Sequence, residues 1–333
     1  MTNNDPSSLA EQKNIYKDKH VLVTGGTGFV GGYFVSALLE LGARIRVPIH
    51  TRPMLVEHPN LEIIQADLTV EADALKACEG IDYVIHCAGA AAGVGLGAAG
   101  LMQGLAINTI LAMRCLHAAW TQNVERILIF SSSTGYPVVD HPVREEEFWE
   151  GDVFPGYFGY GWMRRYMERL GEFVQKESST KVTIIRPVAI YGPGDNFDPN
   201  SSHVIPALIR RAVAGEVPFT VWGKPDVIRD FLHVKDLARG SLLAMEKLGG
   251  ADPVNIAWGQ ETTIKQIVET IFTILKRDPA NIIYDEDKPT AIPYRAADIS
   301  KAKRELGFYP EISLEDGLQE TINWYLAQQQ SQH

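Results

Sequence analysis

The feature that most constrains the fold of this chain is a glycine-rich turn between a strand and a helix. Val21–Val23 is a short apolar run, the next residues read TGGTGFVG, and apolar residues then recur at helical spacing from Phe29 to Leu41. Glycines in such a turn allow backbone N–H groups at a helix N-terminus to approach a pyrophosphate. The strand before and the helix after the turn are the context that this motif requires. The segment therefore predicts a dinucleotide-binding unit, with Gly25, Gly28 and Gly31 in its turn.

Further strand-like segments follow at the spacing of strand–helix units. They read ARIRVPI, LEIIQADL, IDYVIHCAGA, RILIFSSS and KVTIIRPV, with helical stretches such as Glu71–Cys78 and Leu105–Gln122 between them. This alternation predicts an α/β fold, a doubly wound parallel (Rossmann) sheet with a smaller C-terminal substrate-binding lobe. Ligands bind at the carboxyl ends of such strands. The residues that those ends bring toward one cleft are Gly25, Asp67, His86, Ser132 and Arg186.

The chain divides into an arm and two interleaved parts. The polar residues 1–16 predict a flexible N-terminal arm. Residues 17–188 predict the NAD(P)-binding domain, to which residues 229–258 return, and residues 189–228 and 259–330 predict the nucleotide-sugar-binding lobe.

Composition narrows the class of partner. Of the 333 residues, 45% are hydrophobic and 22% are charged, as in ordinary globular proteins. A net charge of -10 argues against nucleic-acid binding. We read no apolar run as long enough to span a membrane, so no membrane partner is expected. Three cysteines without metal-ligand spacing predict a reducing, cytoplasmic location and no metal site.

These motifs together resemble the extended short-chain dehydrogenase/reductases, the NAD-dependent epimerase/dehydratase family. The matching segments are TGGTGFVG, HCAGAA, FSSSTGYP, RPVAIYGPGD and RDFLHVKDLARG, and the resemblance extends from Lys19 to Leu326. Within the family, the segment YGPGDNFDPNSSHVIPALIRR is similar to the GDP-L-fucose synthases. Those enzymes use NADPH to epimerise and reduce a GDP-4-keto-6-deoxyhexose. The resemblance therefore implies an oxidoreductase or epimerase that acts on a GDP-sugar.

The resemblance also implies a catalytic set, namely Ser132, Tyr160, Arg164 and His203. Tyr160 and Arg164 are four residues apart, so they project from one face of a helix, and the cation favours an ionised phenol. Ser132 is expected to bind the substrate's C4 oxygen, with which Tyr160 exchanges a proton. A packing helix with Met163, Met167 and Leu170 on its buried face is the competing interpretation of this segment.

Two residues depart from the family pattern. Arg164 stands where the family has lysine; it supplies charge and donors but never loses its proton. Thr134 stands where fucose synthases have a cysteine that works with a histidine, matched here by His203. A threonine hydroxyl without a base of its own is a poor proton shuttle, so we expect little 3,5-epimerisation.

The segment after the second strand bears on the cofactor. No Asp or Glu lies between Glu40 and Glu57, where NAD-specific folds place a carboxylate for the ribose, while His50 and Arg52 suit a 2′-phosphate. This predicts NADP, with NAD as the second choice. The full set of implied cofactor-binding residues is Gly25, Thr27, Gly28, Phe29, Val30, Gly31, His50, Arg52, Asp67, Leu68, Ala88, Tyr160 and Arg164.

The lobe supplies candidates for the nucleotide sugar. They are Ser133, Thr134, Asn196, His203, Trp222, Arg229, Lys288 and Arg295, among which an aromatic face suits a guanine and arginines suit a diphosphate. Three functions stay open: a 4-keto reductase, a 4-epimerase that retains its NAD(P), and a catalytically impaired regulatory subunit that binds a nucleotide sugar.

Helices at Leu105–Gln122 and Tyr160–Lys176 carry wide apolar coverage, including Met113, Leu116, Trp120, Met163 and Met167, which predicts a homodimer.

Overall fold

The computed structural model describes residues 14–54, 56–90, 97–288 and 292–331. Its strands are β1 (His20–Thr24), β2 (Arg44–Ile49), β3 (Leu61–Gln65), β4 (Tyr83–His86), β5 (Arg126–Phe130), β6 (Lys181–Pro187), β7 (Ala189–Tyr191), β8 (Phe219–Trp222), β9 (Ile228–Arg229), β10 (Phe231–His233), β11 (Val254–Ile256), β12 (Thr262–Thr263), β13 (Ile282–Asp285) and β14 (Tyr294–Arg295). Its α-helices are α1 (Phe29–Glu40), α2 (Glu71–Ala77), α3 (Gly97–Thr121), α4 (Phe158–Glu177), α5 (Val204–Ala214), α6 (Val234–Lys247), α7 (Ile264–Ile274) and α8 (Leu314–Ser331).

The predicted doubly wound sheet is confirmed. Seven strands lie in the order β11-β6-β5-β4-β1-β2-β3, and each neighbouring pair is parallel. Helices cover both faces: α1 and α6 bury Phe34, Leu38 and Leu242 on one side, and α3 and α4 bury Leu116 and Val174 on the other. Because both faces are covered, a strand such as β4 is apolar and buried along most of its length rather than alternating.

The C-terminal lobe has its own core and short strands. β8 pairs with β13, β9 lies between β12 and β14, and β7 pairs with β10. Their apolar residues meet α5, α7 and α8 in one cluster. Within residues 229–258, β11 joins the edge of the seven-stranded sheet, whereas Arg229 belongs to the lobe's three-stranded sheet. The chain therefore crosses between the two parts beside the strand ends.

The N-terminal segment is part of the fold earlier than predicted. Tyr16 is buried, and its hydroxyl donates a hydrogen bond of 2.7 Å to the carbonyl of Leu242. The arm predicted over residues 1–16 therefore ends before Tyr16, because an aromatic ring at that position closes one edge of the core. Residues 1–13 lie outside the described part of the chain.

Helix α3 corrects two sequence predictions. Its stretch Ala99–Thr121 is, by length and mean hydropathy alone, apolar enough to cross a membrane, contrary to our reading that no run was. The hydropathy is high because one side packs on the sheet and the outer side is apolar too.

The dimer face predicted from the sequence is only partly exposed. Met113 and Trp120 are exposed, but the protomer itself buries Leu116, Met163 and Met167.

Candidate active site

The glycine turn after β1 has the shape that a pyrophosphate requires. Gly25 adopts a left-handed φ of +67°, and a Cβ there would lie 2.8 Å from the backbone of Ala88 at the end of β4. A Cβ at Gly31 would overlap the carbonyl oxygen of Gly25. Within the described chain no side chain caps α1, so N–H groups of its first turn remain for anionic oxygens. Thr27 lies in the turn, and Phe29 is the first residue of α1.

Three predicted cofactor residues surround the ends of β2 and β3. The exposed side chain of Arg52 reaches back to the glycine turn, where Nη1 donates to the Thr27 carbonyl at 3.5 Å. His50 is exposed, with Nε2 3.9 Å from Oδ2 of Asp67. Hydrogen bonds from Thr69 hold the pKa of Asp67 below its usual value, so this carboxylate is ionised at neutral pH. Leu68 follows it against the core.

Tyr160 and Arg164 lie in the first two turns of α4. The Tyr160 hydroxyl is buried and has no hydrogen-bond partner in the described structure. Burial raises the pKa of Tyr160, and the charge of Arg164 only partly opposes this. Arg164 acts on the phenol in the predicted direction, but burial outweighs it, so the pKa of Tyr160 lies above and not below its usual value. The phenol is protonated at neutral pH.

Arg164 is anchored at the end of the sheet. Its Nη1 donates to the carbonyl of Phe130, the last residue of β5, at 2.8 Å. Burial, together with the charge of Arg164, lowers the pKa of His86 to about 4, so this imidazole is neutral. His86 Nδ1 lies 2.9 Å from Oγ1 of Thr24, which also accepts the N–H of Ala88. The predicted ends of β1, β4 and β5 thus meet at one point.

A cavity of about 170 Å³ opens at this point. Arg164 and His86 are its basic lining groups, and Val30, Ala88, Pro187 and Ile190 are among its apolar ones. The cavity therefore lies between α1, the helix that follows the glycine turn, and α4, at the strand ends where dinucleotides bind in such sheets.

Ser132 begins a short 3-10 turn that covers residues 133–135. Its Oγ accepts the N–H of Thr134 at 3.2 Å, which leaves the hydroxyl hydrogen for another acceptor. Gly161 of α4 packs so closely on this turn that a Cβ there would lie 2.7 Å from the Thr134 carbonyl. The helix carrying Tyr160 and the turn carrying Ser132, Ser133 and Thr134 are therefore in direct contact.

Two arginines, the half-buried Arg229 and the buried Arg295, lie side by side in the lobe. Arg229 on β9 and Arg295 on β14 are partners in a parallel register. Arg295 is 5% exposed, and its Nε and Nη1 have no partner in the described structure. Burial lowers the pKa of both guanidinium groups, and Tyr157, three residues before Tyr160, opposes this in each. Two such cations suit an anion whose several oxygens can accept hydrogen bonds from both.

The other lobe candidates differ in availability. Asn196 uses its amide within the loop, donating to Ser201 at 2.9 Å and accepting from Asp198 at 3.0 Å, so here it shapes the loop. His203 is exposed at the N-cap position of α5, where neighbouring protein atoms lower its pKa. Trp222 is 64% exposed, and Nζ of Lys288 lies 5.8 Å from its ring centre.

One predicted cleft residue is structural. Arg186 is 2% exposed and forms a two-pronged ion pair with Glu168, with both bonds 2.8 Å long. It therefore lies behind the site rather than in it. Sequence analysis missed a second buried arginine, Arg165, whose Nε and Nη2 donate to the carbonyls of Gly135 and Gly151. Arg165 ties α4 to the end of the Ser132 turn. No local pattern distinguished it from its neighbour Arg164.

Comparison with known proteins now bears on this geometry. Residues 21–257 match the NAD dependent epimerase/dehydratase family. The chain belongs to that family. A putative GDP-L-fucose synthase 2 of Arabidopsis thaliana is 31% identical over 317 residues, which are 93% of this chain and 92% of the relative. A dTDP-4-dehydro-6-deoxy-D-allose reductase of a Streptomyces species is also 31% identical, over 92% of this chain and 95% of the relative.

A solved structure agrees with the fold. The UDP-glucose 4-epimerase of Thermotoga maritima with UDP-glucose superposes with a TM-score of 0.83 and 25% identity, over 93% of this chain and 99% of that one. This epimerase/dehydratase family member is therefore an NAD(P)-dependent enzyme of the reductase or epimerase type. Within residues 14–54, 56–90, 97–288 and 292–331, which the structure describes, no group of three or more His, Cys, Asp or Glu side chains is suited to a metal ion.

Proposed function

We propose that this protein is an NADP-dependent reductase that acts at C4 of a GDP-4-keto-6-deoxyhexose. The observation that carries the proposal is the neighbouring pair Arg229 on β9 and Arg295 on β14, because the buried Arg295 has two donor groups, Nε and Nη1, without a partner in the described structure. We infer that a diphosphate bound by both arginines directs its sugar toward α4, because Tyr157, the residue before that helix, is near enough to both guanidinium groups to act on their pKa. The GDP-L-fucose synthase relatives and the exposed ring of Trp222 favour a guanine nucleotide.

The chain's own groups act on the substrate oxygen. The Ser132 hydroxyl hydrogen is free to bind the C4 oxygen, since Oγ already accepts the Thr134 N–H. Tyr160 is protonated at neutral pH, so it is set up to donate a proton to that oxygen. Arg164 stabilises negative charge that develops there. The nicotinamide, when bound, supplies the hydride to C4.

NADP is proposed because of what borders the glycine turn. Arg52 is exposed, lies beside Thr27 and has one long hydrogen bond, so its guanidinium is available to a 2′-phosphate. The glycine turn suits the pyrophosphate of that cofactor, and the cavity opens at the strand ends, where dinucleotides lie in such folds. The cytoplasmic location stays a prediction from the sequence.

The decisive experiment follows NADPH absorbance and product stereochemistry with a GDP-4-keto-6-deoxyhexose. Stoichiometric NADPH consumption with a product reduced at C4 is expected. Product without consumption of NADPH would make the protein a 4-epimerase with retained cofactor. Binding without turnover would favour the regulatory subunit, and either result overturns the proposal.

The matched variants are Tyr160→Phe and Tyr166→Phe. Tyr160→Phe is expected to lower kcat about 10²–10⁴-fold, as removal of a general acid does, while cofactor binding stays intact. Tyr166 is 53% exposed on the same helix, so its variant should retain activity. Equal activity of the two variants would return this helix to a packing role.

We further propose that 3,5-epimerisation is absent. Thr134 has no neighbouring base in the described hydrogen bonds, and its hydroxyl does not ionise near neutral pH. Solvent deuterium should therefore not enter C3 or C5 of the bound sugar. Rapid exchange in the unmodified protein would assign this chemistry to another base, with His203 the first to replace.

We also propose a homodimer built from the outer sides of α3 and α4. Their exposed apolar residues are Ile110, Met113, Trp120, Tyr166 and Phe173, and the rings of Trp120 and Phe173 lie 5.9 Å apart. A patch of this kind is unusual on a monomer, and a second copy of the chain presents the same patch. Light scattering at micromolar concentration should give twice the protomer mass. A monomeric mass contradicts the proposal.

A further inference from the structure

A buried glycine in helix α3 leaves the space that the Tyr160 hydroxyl occupies. Gly104 is buried in the helix interior, where glycine is less favourable than alanine. A Cβ at this position would overlap the Tyr160 hydroxyl oxygen. The next tyrosine atom, Cζ, lies 3.8 Å from that Cβ, which is ordinary contact. The missing methyl group at residue 104 therefore matches one atom of Tyr160, its oxygen.

The walls around Tyr160 are apolar. Tyr160 and Leu105 both pack against an apolar cluster made of Ala112, Met163 and Met167. The Tyr160 hydroxyl is buried and has no hydrogen-bond partner in the described chain. Since no hydrogen bond fixes the oxygen, the shape of this recess decides where the oxygen lies.

We propose that Gly104 is a positioning residue for the proton-donating hydroxyl of Tyr160. A Cβ at residue 104 would be relieved by moving the far end of the phenol, because that end is freer than the backbone of either helix. A displacement of about 1 Å at a reacting group can lower a rate by about a hundredfold. The catalytic part of this inference rests on the proposed function, whereas the steric part does not.

The steric part is tested without substrate. Urea or thermal unfolding is measured for the wild type, Gly104→Ala, Tyr160→Phe and the double variant. In the Tyr160→Phe background alanine fits and favours the helix, so it should raise the unfolding midpoint by roughly 2 °C. In the wild-type background the gain should vanish or reverse. Additive effects of the two substitutions overturn the inference.

The catalytic part is tested with NADPH and the nucleotide sugar. Gly104→Ala is expected to lower kcat about a hundredfold while KM and the Kd for NADPH stay within twofold. Gln103→Ala, an exposed neighbour on the same helix, should retain wild-type kcat. Wild-type kcat in Gly104→Ala overturns the positioning role even if the unfolding cycle is non-additive.

The two readouts also separate this inference from the proposed function. If the wild-type protein does not turn over a nucleotide sugar, the proposed function fails, and the unfolding cycle alone then decides whether residue 104 shapes the recess. If turnover is seen and the cycle is additive, the proposed function stands and this inference falls.

Discussion

Two buried arginines, Arg186 and Arg295, show how the scaffold of this protein differs from its proposed ligand-binding side. Arg186 is 2% exposed and Arg295 5%, so both have lost their water. Arg186 is fully paired: it bonds both oxygens of Glu168, the Tyr136 hydroxyl and the Glu145 carbonyl. Arg295 has one bond, of 3.2 Å, to the Tyr136 carbonyl, and two unpartnered donor groups in the described structure.

Their pKa values move in opposite directions for this reason. Burial alone would lower the pKa of Arg186, but the hydrogen bonds and charge of Glu168 raise it above the usual value. Burial lowers the pKa of Arg295 to about 10, and Arg229 acts in the same direction. A buried cation without an acid nearby is costly unless a ligand completes it. The difference teaches that burial alone does not assign a role, whereas the presence or absence of a partner does.

The largest expected effect is on stability and concerns Arg186, the fully paired arginine. Glu168→Gln leaves the Arg186 charge buried without its counter-ion. We therefore expect the free energy of unfolding to fall by about 3–5 kcal/mol, the typical cost of breaking a buried ion pair. Urea unfolding measures it. Glu172→Gln on the same helix, whose partner Arg169 is exposed, should cost under about 1 kcal/mol. Equal, small losses would show that Arg186 does not depend on its ion pair.

The next effect tests the ligand half. Arg295→Met removes a charge with unmet hydrogen bonds, so stability should stay level or rise while the affinity for GDP alone falls about 10–100-fold. Calorimetric titration with GDP gives the affinity. Lys265→Met, at an exposed ion pair in the same lobe, is the control and should bind GDP as the wild type does. A large stability loss with unchanged GDP binding would make Arg295 a second scaffold arginine.

The same comparison explains what the sequence predicted. The parallel strands, the glycine turn and helix α1 depend on local patterns, so all three were predicted from adjacent residues. Whether an arginine is paired depends on residues far along the chain: the partner of Arg186 lies 18 residues away. Sequence analysis accordingly placed Arg186 in the cleft and ranked Arg295 only among the lobe candidates.

The sequence also did not predict which face of a helix is buried or what a small residue in a helix makes room for. The α3 and α4 segments are apolar on two sides, so periodicity did not separate Leu116, which faces the sheet, from Met113, which faces outward. Gly104 carried no signal, because a glycine in a helical pattern is read as a weak point rather than as space for another side chain. Only the position of the Tyr160 oxygen gives it meaning.

Another buried group without a full set of partners, a carboxyl, extends the comparison to pH. Asp195 is 7% exposed, its Oδ2 has no partner in the described structure, and burial raises its pKa to about 7. Between about pH 4 and 7 the folded carboxyl is protonated while the unfolded one is ionised, so the folded state binds more protons. Stability contributed by this group is therefore lost as pH rises through that window.

Asp195→Asn should remove this loss. The amide oxygen can still accept the Asn196 N–H, now bonded at 2.7 Å, and the NH2 group takes the place of the unpartnered oxygen. We expect the variant to exceed the wild type by on the order of 1 kcal/mol in urea unfolding at pH 8 and to match it at pH 4.5. A difference of the same size at both pH values would mean that the titration of Asp195 is not its cause.

The smallest expected effect concerns an arginine between the two extremes. Arg52 is exposed and has one hydrogen bond, of 3.5 Å, so it is neither paired as Arg186 is nor buried as Arg295 is. If it binds the 2′-phosphate of NADP, Arg52→Ala should weaken NADPH binding about tenfold or less and leave NADH binding unchanged, because only the former carries that phosphate. Fluorescence titration with both cofactors measures this. Since the contact is exposed, the wild-type preference should also shrink as salt is raised from 50 mM to about 500 mM. Two results would show that Arg52 does not bind the 2′-phosphate: equal affinities for the two cofactors in the wild type, or an equal loss of affinity for both in Arg52→Ala. Arg52 would then be a surface residue that supports the glycine turn.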